Sequence, residues 1–248
     1  MHPIEQFEIR TLFPIVKIGN VEIAFTNSAL YMLIAVAIIA LLMIGFTSRK
    51  ALVPGRLQTI AEISYEFIAA NLQRSAGSEG MKFFPLVFSL FMFILALNVI
   101  SLIPHTFAVT AQIIITASLA MLVFLTVIVY GFWKHGLRFL RVFVPSGVPV
   151  YLLPLVSTIE VLSFLSRPLS HSVRLFANIL AGHITLYVFA GFVTMVSALG
   201  ILGWFGAIVP LAMTVTIFAL ELLVMFLQAY VFAILTCIYL NDAIHPSH

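Results

Sequence analysis

Five apolar runs, at 28–46, 83–103, 112–133, 151–199 and 206–240, occupy most of the sequence. A helix needs roughly 20 apolar residues to cross the ~30 Å hydrocarbon core of a bilayer, and each run is about that long or longer. In hydrocarbon every backbone N–H and C=O must find a partner inside its own segment, so such runs fold as helices. The expectation is an all-α, polytopic membrane protein with five crossing helices. Composition agrees: 62% of residues are apolar and 8% charged, against roughly 45–50% and about 25% in a soluble domain. The reading is an N-terminal extramembrane segment, 1–27, followed by one membrane domain, 28–248. Segment 1–27 has no basic start ahead of a long apolar run and is not expected to be a cleaved secretion signal. The single cysteine, Cys237, offers no intrachain disulfide and no paired-cysteine metal site.

Residues 47–82 are polar and carry Arg49, Lys50, Arg56, Arg74 and Lys82. Within them Leu57, Ile60, Phe67, Ile68 and Leu72 recur near helical spacing, while Gln58, Glu62, Glu66 and Gln73 take the other side. This pattern predicts an amphipathic helix over 56–74, lying on the membrane surface or against a partner. The loop at 134–149 adds Lys134, Arg138 and Arg141, whereas the turn around Pro104 and His105 has no Lys or Arg. Basic loops stay on the cytoplasmic side. The N-terminus is therefore expected outside and the C-terminus inside.

The last two runs are too long to stand upright. Residues 151–199 would make a helix about 73 Å long, and 206–240 one of about 52 Å, at 1.5 Å per residue. Pro168 is the expected kink in the first, with Gly200, Gly203 and Gly206 making a turn after it. Crossing helices tilt by about 20° on average, whereas the last run must tilt by roughly 50–60° or protrude. Two overlong neighbouring helices suggest a shape made to lie along another object in the membrane.

Of the twelve basic and nine acidic residues, only Glu160, Arg167, Arg174 and Glu221 fall between residues 142 and 241. A charge at membrane depth costs at least about 2.5–3.5 kcal/mol, and such residues mark ion pathways, relays or paired contacts. Glu160, Arg167 and Arg174 are seven apart and drift only about 20° per step around a helix. Asn178 lies one turn beyond Arg174 on that face, and His183 is half a turn out of phase. Thr214, Glu221 and Gln228 repeat the spacing in the last helix. Mutual neutralisation, or snorkelling of Glu160 and Arg167 to the interface, is the structural alternative. An arginine keeps its charge when desolvated and can hold a carboxylate ionised without passing a proton on. His183 and Glu221 can bind and release protons. Asn178 and Gln228 can orient water or a carboxylate, or simply join helices.

The stretch EVLSFLSRPLSHSVRLFANILAGH, from Glu160 to His183, resembles the signature of the subunit a family of F-type ATP synthases. LELLVMFLQAYVFAIL, from Leu220 to Leu235, resembles the family's last helix, and TAQ at 110–112 also fits. The likeness runs from about residue 28 over most of the chain. It implies that the family's essential arginine is Arg174, with Asn178 as its neighbouring asparagine. Its polar pair falls on His183 and Glu221, in the order of mitochondrial and related bacterial members, and its glutamine on Gln228. Glu160 and Arg167 take the positions of the acidic and basic residues ahead of the arginine.

What the resemblance implies is a stator subunit that is not catalytic on its own. Protons would enter an outer half-channel near His183, Glu221 and His105 and protonate a carboxylate on a rotating ring of c subunits. They would leave near Glu160, with Arg174 separating the two channels and the overlong helices tilted against the ring. The implied partners are the c-ring, the peripheral-stalk b subunits and the other ATP synthase subunits. The implied location is a bacterial inner membrane, with the mitochondrial inner membrane as the alternative, and no cofactor is implied.

Other classes fit less well. A secondary transporter predicts internal repeats, and none is visible. A membrane haem protein would need two ligands closer than His171 and His183, about 18 Å apart along a helix. A purely structural subunit gives no reason to bury an arginine. The sequence has no Walker-type phosphate loop, no nucleophile with a paired base and no basic patch suited to nucleic acid; ATP chemistry must then belong to partner subunits.

Overall fold

The structure, a computed structural model, describes residues 7–18, 21–45, 55–103, 106–144, 149 and 151–245. Strands β1 (Thr11–Ile18) and β2 (Val21–Thr26) form an antiparallel hairpin in which Thr11 faces Thr26 and Phe13 faces Phe25. Threonine, aromatic and branched residues favour a pleated ribbon, and Pro14 is tolerated because both strands are edges. The polarity of 1–27 gave no sign of this hairpin. Helix α1 (Asn27–Ala40) follows directly and continues as a π-helical turn, Leu41–Gly45. Asn27 joins the two elements: its Oδ1 accepts from the Ser28 N–H at 2.9 Å, and its Nδ2 donates to the Glu8 carbonyl at 3.0 Å.

Helix α2 (Arg56–Gly80) extends the amphipathic helix beyond its expected end. Gly77, at φ +64°, interrupts it with a left-handed residue, a conformation that costs glycine almost nothing. A 3₁₀ turn, Met81–Phe83, leads into α3 (Phe84–Ser101). The buried face of α2 is Ala61, Ile68, Leu72 and Ala76, whereas Ile60 is exposed. Tyr65 meets Phe84 and Phe88, with ring centroids at 4.5 and 6.0 Å, and Phe67 meets Phe91 at 6.1 Å. This helix therefore rests on its own chain through aromatic pairs.

Helix α4 (Ile113–His135) buries Thr116, Ala120, Val123, Val127 and Gly131, a stripe at helical spacing, and a 3₁₀ segment, Gly136–Phe143, follows it. Then come α5 (Leu153–Ser197), the short α6 (Ile201–Gly206) and α7 (Ile208–Ile244). Pro168 sits inside α5 without ending it, and Gly200, at φ +85°, makes the turn into α6. At 1.5 Å per residue α5 is about 67 Å long and α7 about 55 Å, both well beyond the ~30 Å hydrocarbon core. Among the described residues five helical stretches are long and apolar enough to cross a membrane. Large apolar side chains such as Ile34, Leu125, Leu155, Leu165, Leu222 and Leu223 are exposed, as befits surfaces that meet lipid or other membrane subunits.

The chain divides into two compact units of interleaved segments. The first is Met1–Ile39, Phe93–Gln112 and Leu175–Gln228; the second is Ala40–Met92, Ile113–Arg174 and Ala229–His248. In the first, Ala35, Ile94, Leu97, Leu175, Ile179 and Met225 are buried, and Tyr31 stacks on Phe107. In the second, Leu72, Phe91, Val127, Phe139, Phe164 and Phe232 are buried.

Candidate functional site

The first unit holds a polar site in apolar surroundings. His183 on α5 and Glu221 on α7 are 5% and 4% exposed, and His183 Nε2 lies 3.7 Å from Glu221 Oε1. Both Glu221 oxygens are buried without a hydrogen-bond partner among the described residues. A carboxyl held this way is costly unless it can exchange a proton or gain a partner. Gly182 explains how it comes so close to α5: a Cβ there would stand 2.9 Å from Glu221 Oε1 and 3.2 Å from its Cδ.

Behind the pair lies a buried bracket of small polar residues. Ser101, the last residue of α3, has its Oγ 3.2 Å from His183 Nε2 and donates to the Asn98 carbonyl at 2.7 Å. Thr110 donates to Asn98 Oδ1 at 2.8 Å, and Asn98 Nδ2 donates to the Met225 carbonyl, one turn beyond Glu221, at 3.2 Å. Ser101, Asn98 and Thr110 are all buried. Phe7 meets the His183 ring edge to face at 6.3 Å, and Gln112 donates to the Phe7 carbonyl at 2.8 Å. Ser101 and Asn98 bear no charge, so nothing in the sequence set them apart from ordinary polar residues of an apolar run; Thr110 and Gln112 were marked only by the family-like TAQ at 110–112.

Arg174 and Asn178, one turn apart on α5, are both exposed, whereas His183 is buried. Among the described residues Arg174 has no salt bridge or side-chain hydrogen bond. Its helix thus presents a fixed cation outward, and the buried histidine lies off that face. Gln228 and Glu160 are half-buried. His105 lies outside the described residues.

In the second unit Arg167 Nη1 lies 2.7 Å from Asp242 Oδ2, near the end of α7. The guanidinium sits over the rings of Phe164 and Tyr239, at 5.1 and 5.0 Å from their centroids, so charge and cation–π contacts act together. Asp242 follows the last apolar run of the sequence, yet lies within α7. The buried His171 packs on Phe232 at 3.8 Å and Tyr239 at 5.9 Å. Lys134 pairs with Glu79. Lys134 Nζ and His135 Nε2 also reach the Ile244 carbonyl, at 3.4 and 3.1 Å, a favourable place for donors at a helix C-terminus. Among the described residues no three His, Cys, Asp or Glu side chains gather as metal ligands.

The family model described as ATP synthase A chain matches residues 29–241. The chain is 65% identical over 248 residues to the ATP synthase subunit a of Nitrobacter winogradskyi, covering 100% of both chains. It is 66% identical over 247 residues to that of Bradyrhizobium diazoefficiens, covering 99% of this chain and 98% of the relative. To that of Rhodopseudomonas palustris strain BisB18 it is 63% identical over 246 residues, covering 99% of each.

Proposed function

The chain belongs to the ATP synthase A chain family, the proton-translocating membrane subunits of ATP synthase, and we propose that its His183–Glu221 pair is the relay that brings protons to the rotor. It is a membrane-embedded, multi-pass protein whose partners are other ATP synthase subunits, with no catalytic activity of its own.

The observation that carries the relay reading is the 3.7 Å approach of two buried ionisable side chains, with both carboxyl oxygens unpartnered among the described residues. Protons entering an outer half-channel reach this pair and pass to a carboxylate on the c-ring. Gln228, half-buried on the Glu221 helix, orients water or the carboxylate beside the pair, and His105 belongs to the outer approach. Arg174, exposed and without a salt bridge among the described residues, faces the ring. Its permanent charge holds the ring carboxylate ionised and separates the half-channels, with Asn178 beside it. Protons leave towards Glu160 on the cytoplasmic side, and Arg167 anchors that end of the helix. α5 and α7, each far longer than the bilayer core, lie tilted along the ring. The b subunits hold the chain as stator in a bacterial inner membrane, N-terminus outside and C-terminus cytoplasmic.

Crosslinking tests this arrangement. Cysteine placed at Asn178 in the assembled complex should form a disulfide with a cysteine beside the ring carboxylate. Crosslinks to the ring only from the His183 face of α5 would reverse the assignment of faces.

A further inference from the structure

We propose that Ser101, braced by Asn98 and Thr110, is a positioning residue of the proton pathway: its hydroxyl keeps the hydrogen of neutral His183 on Nε2, the ring nitrogen that faces Glu221. The inference rests on the relay reading of His183 and Glu221. A serine hydroxyl has one hydrogen to give. Here it goes to the Asn98 carbonyl at 2.7 Å, which leaves the oxygen to accept from His183 Nε2 at 3.2 Å. Neutral imidazole carries a single N–H, so Nδ1 then bears the lone pair. Glu221 Oε1 lies 3.7 Å from the same Nε2, only a few tenths of an ångström beyond hydrogen-bond reach. The nitrogen whose hydrogen the serine oxygen holds is thus also the one beside the carboxylate, and Nδ1 is left as the atom that takes up the next proton.

The bracket is rigid for a physical reason. Asn98 is fully buried and uses three groups: Oδ1 accepts from Thr110, Nδ2 donates to the Met225 carbonyl, and its own carbonyl accepts from Ser101. Met225 lies one helical turn beyond Glu221, so one asparagine sets both the serine behind the histidine and the turn that carries the carboxylate. A buried, fully paired network of this kind specifies one arrangement. The hydrogen bonds a working histidine makes commonly decide which of its nitrogens bears the hydrogen.

The test uses the whole ATP synthase in membrane vesicles, with proton-driven ATP synthesis normalised to assembled complex. ¹⁵N shifts of labelled histidine, assigned to His183 by difference, report its tautomer. Ser101→Ala should lower synthesis about tenfold or more while Ser101→Thr stays within about twofold of the native rate. The native and Thr complexes should show His183 with hydrogen on Nε2, and the Ala complex a mixture. Normal synthesis in Ser101→Ala overturns the proposal, as does equal impairment of the Ala and Thr variants with the tautomer unchanged. If the Thr variant does not assemble, the tautomer in Ser101→Ala decides: an unchanged Nε2 hydrogen overturns it. Normal synthesis in His183→Ala and Glu221→Gln would instead remove the relay reading itself, and this proposal with it.

Discussion

Arg167 and Asp242 stand 75 positions apart in the sequence, yet the guanidinium and the carboxylate meet at 2.7 Å between the rings of Phe164 and Tyr239. The pair is an ionic link between the first half of α5 and the end of α7. Its side chains are 23% and 22% exposed, sheltered enough for the loss of one partner to be felt.

Asp242→Asn should lower the stability of the purified complex by about 1–2 kcal/mol, and a double-mutant cycle with Arg167→Gln should show coupling of about 1 kcal/mol. Thermal unfolding in detergent measures both. Additive effects would mean that the two charges act independently.

Gly182→Ala adds a methyl 2.9 Å from Glu221 Oε1, so the carboxyl must move. Proton-driven synthesis should fall about tenfold or more with the complex still assembled, since small misplacements of reacting groups cost up to about 100-fold. Activity within error of the native rate would show that Glu221 can work from another position.

Arg174→Lys should abolish proton-driven ATP synthesis in vesicles while leaving the complex intact, because a lysine can give up its proton at membrane depth and an arginine cannot. Normal synthesis rates would sink the assignment of a fixed charge between the half-channels.

The exchange His183→Glu with Glu221→His should retain more proton flux than either single change, since it keeps one carboxyl and one imidazole on the two facing positions, whose native side chains approach to 3.7 Å. Passive flux through vesicles stripped of the catalytic head reads this directly. A double mutant worse than both single mutants would break the idea of a shared relay.

The crossing helices could be read from the sequence because hydrocarbon leaves a long apolar run no other fold, and the exceptional charges could be read because they are so few. That logic reaches Arg174, His183 and Glu221 and stops there. Ser101, Asn98 and Thr110 are small and neutral, and what unites them is that the end of α3 meets α5 and α7, a tertiary fact with no periodic trace. Gly182 stands out only once the Glu221 carboxyl is seen against it. Asp242 lies past the last apolar run, where hydropathy carries no signal, although α7 continues to Ile244. In α2 the apolar residues suggested a face including Ile60, but packing buries the alanines at 61 and 76, where a small side chain allows close approach.

The interleaving of the two units also bears on how the chain is made. Each draws on three separated stretches of sequence, and the second includes Ala229–His248. A ribosome still translating α7 has therefore released neither Asp242 nor Ile244, the groups that Arg167, Lys134 and His135 await. Until α7 is complete those side chains lack these partners, and no single backbone cleavage could yield either unit whole.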